Sequence, residues 1–250
     1  MEYYVELVMV HPATKPAASR LDSLQRNYAQ IETTAMLQAI IQREFSGRVA
    51  VVSSFGAESA VLLHLVSKID PTTPVLFLNT GKLFGETLRY RDRLQDLLGL
   101  TDLRAIGPHP ADREARDPEG SLWSTNPDAC CNFRKTVPLA RAMEGFDAWI
   151  TGRKRFQTDN RAGMESIEMV GKRYRINPLA GWTPADLDHY MLEHHLPPHP
   201  LVRDGYLSIG CMSCTSRVQD GEDARSGRWR GQDKTECGIH TNGFTDGDGI

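Results

Sequence analysis

The sequence predicts an α/β protein built on a doubly wound, mostly parallel sheet. Short apolar runs rich in β-branched residues alternate with amphipathic segments of helical period, which is the pattern of β-α-β units. Each of the first two runs ends in a polar turn that contains glycine, as expected where parallel strands lead into a ligand site. An irregular, glycine-rich C-terminal segment follows this α/β part.

Three buried strands and three helices account for the first half of the chain. The strands are expected at residues 49–52, 75–78 and 103–106. The helices are expected over residues 21–45, from the polar turn after the first strand to residue 69, and over residues 84–98. Gly99 is a plausible C-cap for the last of these helices.

The second half is less regular. Residues 107–129 are rich in proline, glycine and aspartate and predict a loop, whereas residues 130–143 predict a helix. Further strands are expected at residues 148–151 and 173–177. A helix with Thr183 as N-cap is expected to run to about residue 195.

The chain divides into four stretches. We expect a poorly packed lead-in at residues 1–20 and the α/β domain at residues 21–205. Residues 206–240 are expected to be an irregular segment of the same domain, and residues 241–250 a disordered tail.

Composition excludes several functional classes. Of the 250 residues, 40% are hydrophobic, and 29 basic against 32 acidic side chains leave a net charge of −3. That balance argues against a generally basic nucleic-acid-binding protein. No apolar run approaches the ~20 residues of a membrane span, and the N-terminus lacks the basic region of a secretory signal. We therefore expect a cytoplasmic protein that binds neither nucleic acid nor membranes; a homo-oligomer is left open.

The turn after the first strand, SSFGAES from Ser53 to Ser59, suits an anionic group. It combines serine hydroxyls, a glycine that permits close backbone approach and the free N–H groups of a helix start. It lacks the lysine of a Walker A loop, and an ordinary serine-capped turn explains it equally well. A second polar turn, NTGKLFGET from Asn79 to Thr87, ends the second strand and favours a shared cleft.

Five cysteines fall in a pattern unlike a disulfide framework. Cys130 and Cys131 are adjacent, Cys211 and Cys214 form a C-x-x-C pair, and Cys237 is left over. The pattern indicates four metal ligands and one reactive thiol. The tandem pair weakens a zinc assignment, while four thiolates match an iron–sulfur cluster. A vicinal disulfide and buried free thiols are the alternatives.

Cationic residues surround the lone cysteine in sequence. Lys234 and His240 are close enough to favour a Cys237 thiolate, and Arg225 and Arg228 are suited to sulfate or phosphate oxygens. We expect an exposed thiol that alternates between two partners. An incidental surface cysteine is the simpler alternative.

Six motifs in order carry a family resemblance: SSFGAES, NTGKLFGET, CC-x-x-R-K, GYLSIGCMSC, GRW and ECGIH. Over roughly residues 20–240 the chain resembles the assimilatory adenylyl-sulfate (APS) reductases, in particular their iron–sulfur-containing, thioredoxin-dependent members. The resemblance implies an adenine-nucleotide α-hydrolase-like (PP-loop) fold. The chain departs from the family pattern at Ser59, where an acidic residue is common in the family.

The resemblance also implies the site. One [4Fe–4S] cluster would be held by Cys130, Cys131, Cys211 and Cys214. The residues with catalytic roles would be Cys237 and Lys135, which lies between cluster and substrate. The substrate-binding residues would be Ser53, Ser54, Phe55 and Gly56 around the nucleotide, Leu83, Phe84, Gly152 and Arg161 near the adenosine, and Arg225, Arg228 and His240 on the phosphosulfate.

The implied reaction reduces APS to sulfite and AMP in sulfate assimilation. Cys237 would form an S-sulfocysteine, and thioredoxin or glutaredoxin would donate the electrons. One alternative is a reductase of the 3′-phosphorylated substrate PAPS, or of both substrates. A more distant alternative is an ATP-using PP-loop enzyme of tRNA thiolation or adenylation, although Phe55 and Ala57 depart from its usual loop.

Overall fold

The computed structural model describes residues 19–232, 234 and 236–241, without the side chains of residues 240 and 241. The predictions for the lead-in at 1–20 and the tail at 241–250 therefore lie almost entirely outside the described residues. The contact that the resemblance assigns to His240 lies outside them as well.

Six strands form one sheet. They are β1 (Val49–Ser53), β2 (Val75–Leu78), β3 (Leu103–Ile106), β4 (Ala148–Ile150), β5 (Ile167–Val170) and β6 (Arg173–Ile176). Their order across the sheet is β3-β2-β1-β4-β6-β5. Neighbouring strands are parallel except β5 and β6, which pair antiparallel. The sheet is therefore mostly parallel, as predicted, with β1 near its centre.

Ten α-helices lie in the described residues. They are α1 (Arg20–Tyr28), α2 (Thr33–Ala39), α3 (Ser59–Ile69), α4 (Gly85–Leu98), α5 (Pro110–Arg116), α6 (Leu122–Thr125), α7 (Pro127–Cys131), α8 (Val137–Ala142), α9 (Pro184–Glu193) and α10 (Gly238–Thr241). Two π-helical turns, Ile40–Glu44 and Asn132–Thr136, continue α2 and join α7 to α8.

Both faces of the sheet are covered. In β1, Val49 and Val51 belong to the larger apolar cluster, while Ala50 between them belongs to a second one. Helices α1 to α4 and α9 contribute side chains to the first cluster, and α8 contributes to the second. Because successive side chains of a strand point to opposite faces, these two clusters are the two layers of a doubly wound fold.

Three predicted elements were wrong in detail. The helix over 21–45 is two helices, because Glu32 breaks the run and caps α2 by accepting from Thr34 N and Ala35 N. The loop predicted at 107–129 contains α5, α6 and the start of α7. The antiparallel strand β5 was missed. Its four residues carry only a short apolar signal, and it exists as the partner of β6.

The C-terminal segment is tied to the α/β part by backbone pairing. Leu83, in the turn after β2, forms an isolated bridge with Cys211, and Thr215 bridges Arg228 within the segment. Met212 N also donates to Lys82 O at 2.7 Å. These contacts bring the C-x-x-C pair to the carboxyl ends of the strands. No helix among the described residues is long and apolar enough to cross a membrane.

Candidate active site

A cavity of about 250 Å³ lies beyond the carboxyl ends of β1 and β4. It is the position at which open parallel sheets bind ligands. Eleven of the residues named by the resemblance line it: Ser53, Ser54, Gly56, Leu83, Lys135, Gly152, Arg161, Cys211, Arg225, Arg228 and Cys237. Residues more than 180 positions apart in sequence therefore meet in one place, which spacing alone did not require.

The turn that follows β1, residues 53–59, is called the β1 turn and is shaped by local hydrogen bonds. Phe55 has a positive φ of 51° and its N–H donates to Ser53 Oγ at 3.1 Å. Ser59 Oγ donates to Gly56 O at 2.7 Å, which closes the turn as α3 begins. Since Gly56 has no side chain, the Ile209 carbonyl oxygen packs 3.3 Å from where a Cβ would lie. The turn thus brings backbone and hydroxyl groups to the cavity wall.

Two aromatic residues assigned to the substrate have other packing partners. The Phe55 side chain is fully buried in the core, edge-on to Phe77 with ring centroids 5.3 Å apart. Phe84 precedes α4, where its ring packs 5.4 Å from that of Tyr206. Neither is among the residues that line the cavity. A ligand in the cavity would therefore meet Ser54 and Gly56, on either side of Phe55, rather than the Phe55 ring.

The cysteines of both pairs approach each other beside the cavity. Cys131 and Cys214 pack in one small cluster with Trp229 and Cys237. The charges of Cys211 and Cys214 are near enough to raise the pKa of Cys130, although burial is the larger cause. All five cysteines are free thiols. The vicinal disulfide considered from the sequence is therefore absent from this structure.

Four thiols of this kind fit an iron–sulfur cluster. Within the described part of the chain, no three His, Cys, Asp or Glu side chains are arranged to hold a single metal ion. A cluster of four irons keeps its cysteine sulfurs farther apart than one ion does. The buried Nε1 of Trp229 has no hydrogen-bond partner among the described groups, and it packs with Cys131 and Cys214. A sulfur-rich group held by the four cysteines would offer that N–H an acceptor.

Cys237 is buried, which corrects the expectation of an exposed thiol. It is 8% exposed and lines the cavity. Its pKa is lowered well below the ordinary value, first by a hydrogen bond with Cys131 and, against the effect of burial, by Lys135 and Arg228. A Cys131 bound to iron would have no proton to donate. Lys135, the backbone N–H of Ile239 and Arg228 are then the groups that favour the Cys237 thiolate.

Lys135 and Arg228 face cysteines rather than carboxylates. Burial opposes the charge of Lys135, but Cys237, Cys211 and Cys131 together raise its pKa. Burial lowers the pKa of Arg228, and it remains a cation because arginine starts from so high a value. Arg228 also lies 4.4 Å over the Trp229 ring. Two cations therefore line the cavity beside Cys211 and Cys237.

The sequence analysis missed an acidic residue in this cationic site. Glu236 is 8% exposed and accepts from Arg161 Nε and Nη2, both at 2.8 Å. Arg225 Nη2 lies 3.7 Å from the same carboxylate. Burial raises the pKa of Glu236, but the arginines lower it below its ordinary value. Its position beside Cys237 in ECGIH was the only available signal.

A second carboxylate, that of Glu58, lies at the end of the β1 turn that leads into α3. Glu58 accepts from the buried Lys154 and, at 3.0 Å, from Gln157 Nε2. All three residues line the cavity, as does Arg153. The pairing of Lys154 with Glu58 was not predicted from the sequence.

Comparison with known proteins places the chain in a family. The family model described as the phosphoadenosine phosphosulfate reductase domain matches residues 48–217. An adenosine 5′-phosphosulfate reductase of Mesorhizobium japonicum is 53% identical over 227 residues, 91% of this chain and 88% of the relative. Another from Chelativorans sp. is 50% identical over 92% of this chain and 95% of the relative. One from Mycobacterium tuberculosis is 41% identical over 77% of this chain and 76% of the relative.

Solved structures share the fold. A crystal structure of PAPS reductase from Candida auris matches with a TM-score of 0.67 at 24% identity, over 81% of this chain and 98% of that one. An FMN adenylyltransferase from Candida glabrata, in complex with FMN and an ATP analogue, matches with a TM-score of 0.52 at 16% identity, over 86% and 82% of the chains. These likenesses confirm the PP-loop type of α/β fold. Together with the sequence matches they show that the chain belongs to the phosphoadenosine phosphosulfate reductase family.

Proposed function

We propose that this enzyme reduces adenosine 5′-phosphosulfate to sulfite and AMP in sulfate assimilation, with Cys237 as nucleophile. One observation carries the proposal: the Cys237 thiol and the cations Lys135 and Arg228 line the same cavity as the β1 turn. The relatives at 41–53% identity are named for this substrate. A cavity with a thiol and several cations suits a doubly anionic nucleotide that carries an electrophilic sulfur.

In the first step the Cys237 thiolate attacks the sulfur of the sulfate group. A bond forms between the two sulfur atoms while the bond from sulfur to the bridging oxygen breaks, and AMP leaves with that electron pair. Lys135, Arg225 and Arg228 stabilise the charge that gathers on the leaving phosphate. The same cations offset the repulsion between a thiolate and an anionic substrate. The product is an S-sulfocysteine at Cys237.

In the second step an external dithiol supplies two electrons. One thiolate attacks the Cys237 sulfur, and sulfite leaves with the electron pair of the bond between the two sulfurs. The second thiol resolves the mixed disulfide and returns Cys237 to its thiol form. Thioredoxin, or glutaredoxin, is the donor proposed for this step. Since Cys237 is buried beside the cavity, it must become accessible before a protein thiol reaches it.

Cys130, Cys131, Cys211 and Cys214 would hold one [4Fe–4S] cluster. When bound, the cluster supplies a structural and electrostatic element beside the reacting groups rather than electrons. Thr80 Oγ1 lies 3.2 Å from Cys211 Sγ, and its O–H is placed to donate to a thiolate there.

The test is sulfite release by anaerobically purified protein, with APS and PAPS in parallel and thioredoxin as donor. We expect release from APS, and a mass increase of one SO₃ group on the Cys237 peptide when thioredoxin is withheld. Cys237→Ser should abolish both while iron and sulfide content stay unchanged. Sulfite release by Cys237→Ser at the wild-type rate would disprove the covalent mechanism. Equal rates with APS and PAPS would show a dual-substrate reductase, and release from PAPS alone would disprove the APS assignment.

A further inference from the structure

The segment that carries Cys237 is anchored on both sides of the cysteine. On one side Glu236 makes its two hydrogen bonds to Arg161 and accepts a third from Thr158 Oγ1 at 3.2 Å. On the other side α10 packs against the π-helix Asn132–Thr136. The Cys237 sulfur is therefore held between two elements of the α/β part, the π-helix Asn132–Thr136 and the turn Asp159–Arg161.

The Glu236 anchor is a buried and fully formed ion pair. The side chains of Arg161 and Glu236 are 7% and 6% exposed, and their contact is bidentate. Charge-assisted, bidentate pairs of this kind fix orientation as well as distance. We call this pair the Arg161–Glu236 latch.

The Arg161 guanidinium is already engaged by two protein side chains. Its Nε and Nη2 donate to the two oxygens of Glu236, and its Nη1 donates to Gln157 Oε1. Each of the three guanidinium nitrogens thus already has a protein oxygen as acceptor. Arg225, which also lines the cavity, has its Nη2 3.7 Å from Glu236, beyond hydrogen-bond distance.

We propose that Glu236 is a positioning residue for the nucleophile: the Arg161–Glu236 latch holds the Cys237 sulfur in the cavity, and Arg161 serves this latch rather than contacting the substrate. This rests on the proposed role of Cys237. It changes the role of Arg161 from the substrate contact that the family resemblance implies to an anchor of the reactive segment. Opening the latch is also the step that frees Cys237 for an external thiol.

Steady-state kinetics test which partner Arg161 serves. We expect Glu236→Gln and Arg161→Gln each to lower kcat for sulfite release by about 10- to 100-fold, because misplacing a nucleophile by about 1 Å has an effect of that order. KM for APS should change less than about threefold, and the double variant should be no slower than the slower single variant, because both changes remove one interaction. Additive losses, or an Arg161→Gln variant with raised KM and unchanged kcat, would overturn the proposal.

Alkylation of Cys237 tests the latch without turnover. Holoprotein free of substrate is treated with iodoacetamide, and labelling of the Cys237 peptide is followed by mass spectrometry. We expect Glu236→Gln to be labelled at least about fivefold faster than wild type, since local opening exposes the thiol. Glu236→Asp, which keeps the charge, should restore part of the protection. Glu193→Gln, on the exposed end of α9, is the matched control and should behave as wild type.

The two readouts separate the latch from the proposed reaction. If wild type releases no sulfite but Glu236→Gln is labelled faster, the latch stands and the reaction is wrong. If wild type is active and Glu236→Gln matches it in both kcat and labelling rate, the latch is wrong and the reaction stands. Cluster absorbance and circular dichroism identify any variant that fails to fold. If Glu236→Gln fails to fold, kcat and labelling rate are compared between wild type and Glu236→Asp instead.

Discussion

The guanidinium of Arg134 is paired with the carboxylate of Asp117 in the protein interior, with Nη2 2.6 Å from Oδ2 and the side chains 5% and 1% exposed. Arg134 Nη1 also donates to Thr80 O at 2.8 Å, and Asp117 Oδ1 accepts from Leu122 N at 2.9 Å. The pair thus joins three parts of the chain: the turn after β2, the region between α5 and α6, and the π-helix that follows the tandem cysteines. It therefore stabilises the position of the π-helix that directly follows Cys130 and Cys131.

Asp117→Asn should therefore lower the free energy of unfolding by about 3 kcal/mol or more, because it leaves the Arg134 charge buried without a counter-ion. Denaturant unfolding followed by circular dichroism measures the change. The control is Asp112→Asn, since Asp112 lies 3.9 Å from Arg141 with both side chains well exposed. The control should change stability by less than about 0.5 kcal/mol. Equal losses in the two variants would contradict the prediction.

Stability should fall between pH 7.5 and 5.5 because of His199. This side chain is 1% exposed; Leu201 N donates to Nδ1 at 3.2 Å, so Nε2 carries the proton and donates to Thr87 Oγ1 at 3.1 Å. Burial lowers its pKa to about 4, well below an unfolded value of about 6.5. The folded state thus binds fewer protons, and its advantage, complete above about pH 6.5, is lost as pH falls toward 4.

The expected loss from His199 over that pH interval is about 1 kcal/mol. Denaturant unfolding of the anaerobic holoprotein at each pH measures it. His199→Gln should remove this part of the pH dependence, whereas His189→Gln, at an 81% exposed side chain, should retain it. An unchanged slope in His199→Gln would show that another group titrates.

Lys135→Ala should lower the rate of sulfite release by about 10²- to 10³-fold, the usual effect of removing one group that stabilises transition-state charge. Lys135 lines the cavity with Cys237, and the cysteine charges around it raise its pKa, so it stays charged at neutral pH. Lys68→Ala, on the exposed side of α3, should leave the rate unchanged. A Lys135→Ala variant within a factor of three of wild type would remove this residue from the mechanism.

Gly210→Ala should weaken substrate use by displacing Arg228. A Cβ at this position would overlap the Arg228 guanidinium, which lies against the glycine. Losing one charge-assisted contact corresponds to about 10- to 100-fold in kcat/KM. Gly163→Ala is the matched control, because its Cβ would meet no atom within 4 Å. Unchanged kcat/KM in Gly210→Ala would mean that Arg228 moves aside without consequence for the substrate.

Most of the sheet was predictable because its strands are fully buried. The four residues of β2 are all buried, and such strands appear in sequence as continuous apolar runs. Strand β5 was missed because a run of four residues, three of them apolar, is too short to show a strand period; it lies at the edge of the sheet, where only Ile167 is buried. The helices within residues 107–129 were missed because they are only four to seven residues long, and the prolines that begin α5 and α7 also occur in loops.

The functional site, like the fold, was predictable from the sequence only in part. The motif residues Lys135, Arg225 and Cys237 were named from the sequence, and the structure brings them to one cavity. The burial of Cys237 was not predicted, because exposure depends on the elements that pack over a segment. The pairing of Glu58 with Lys154 links two turns 96 residues apart, and no local pattern encodes such a contact.

The sequence by itself determined the α/β class and the family, and it named the candidate reactive side chains, because buried strands and helices show a hydrophobic period and the family's motifs require particular residue types at particular spacings. Which charged side chains form ion pairs with one another was decided only by the tertiary structure. Glu236 looks like one more acidic residue in a polar segment, and its role emerges only where the fold aligns its two oxygens with the fork of Arg161. Hydrogen bonds and ion pairs depend on distance and direction, and those are set by the packing of elements that are distant in sequence.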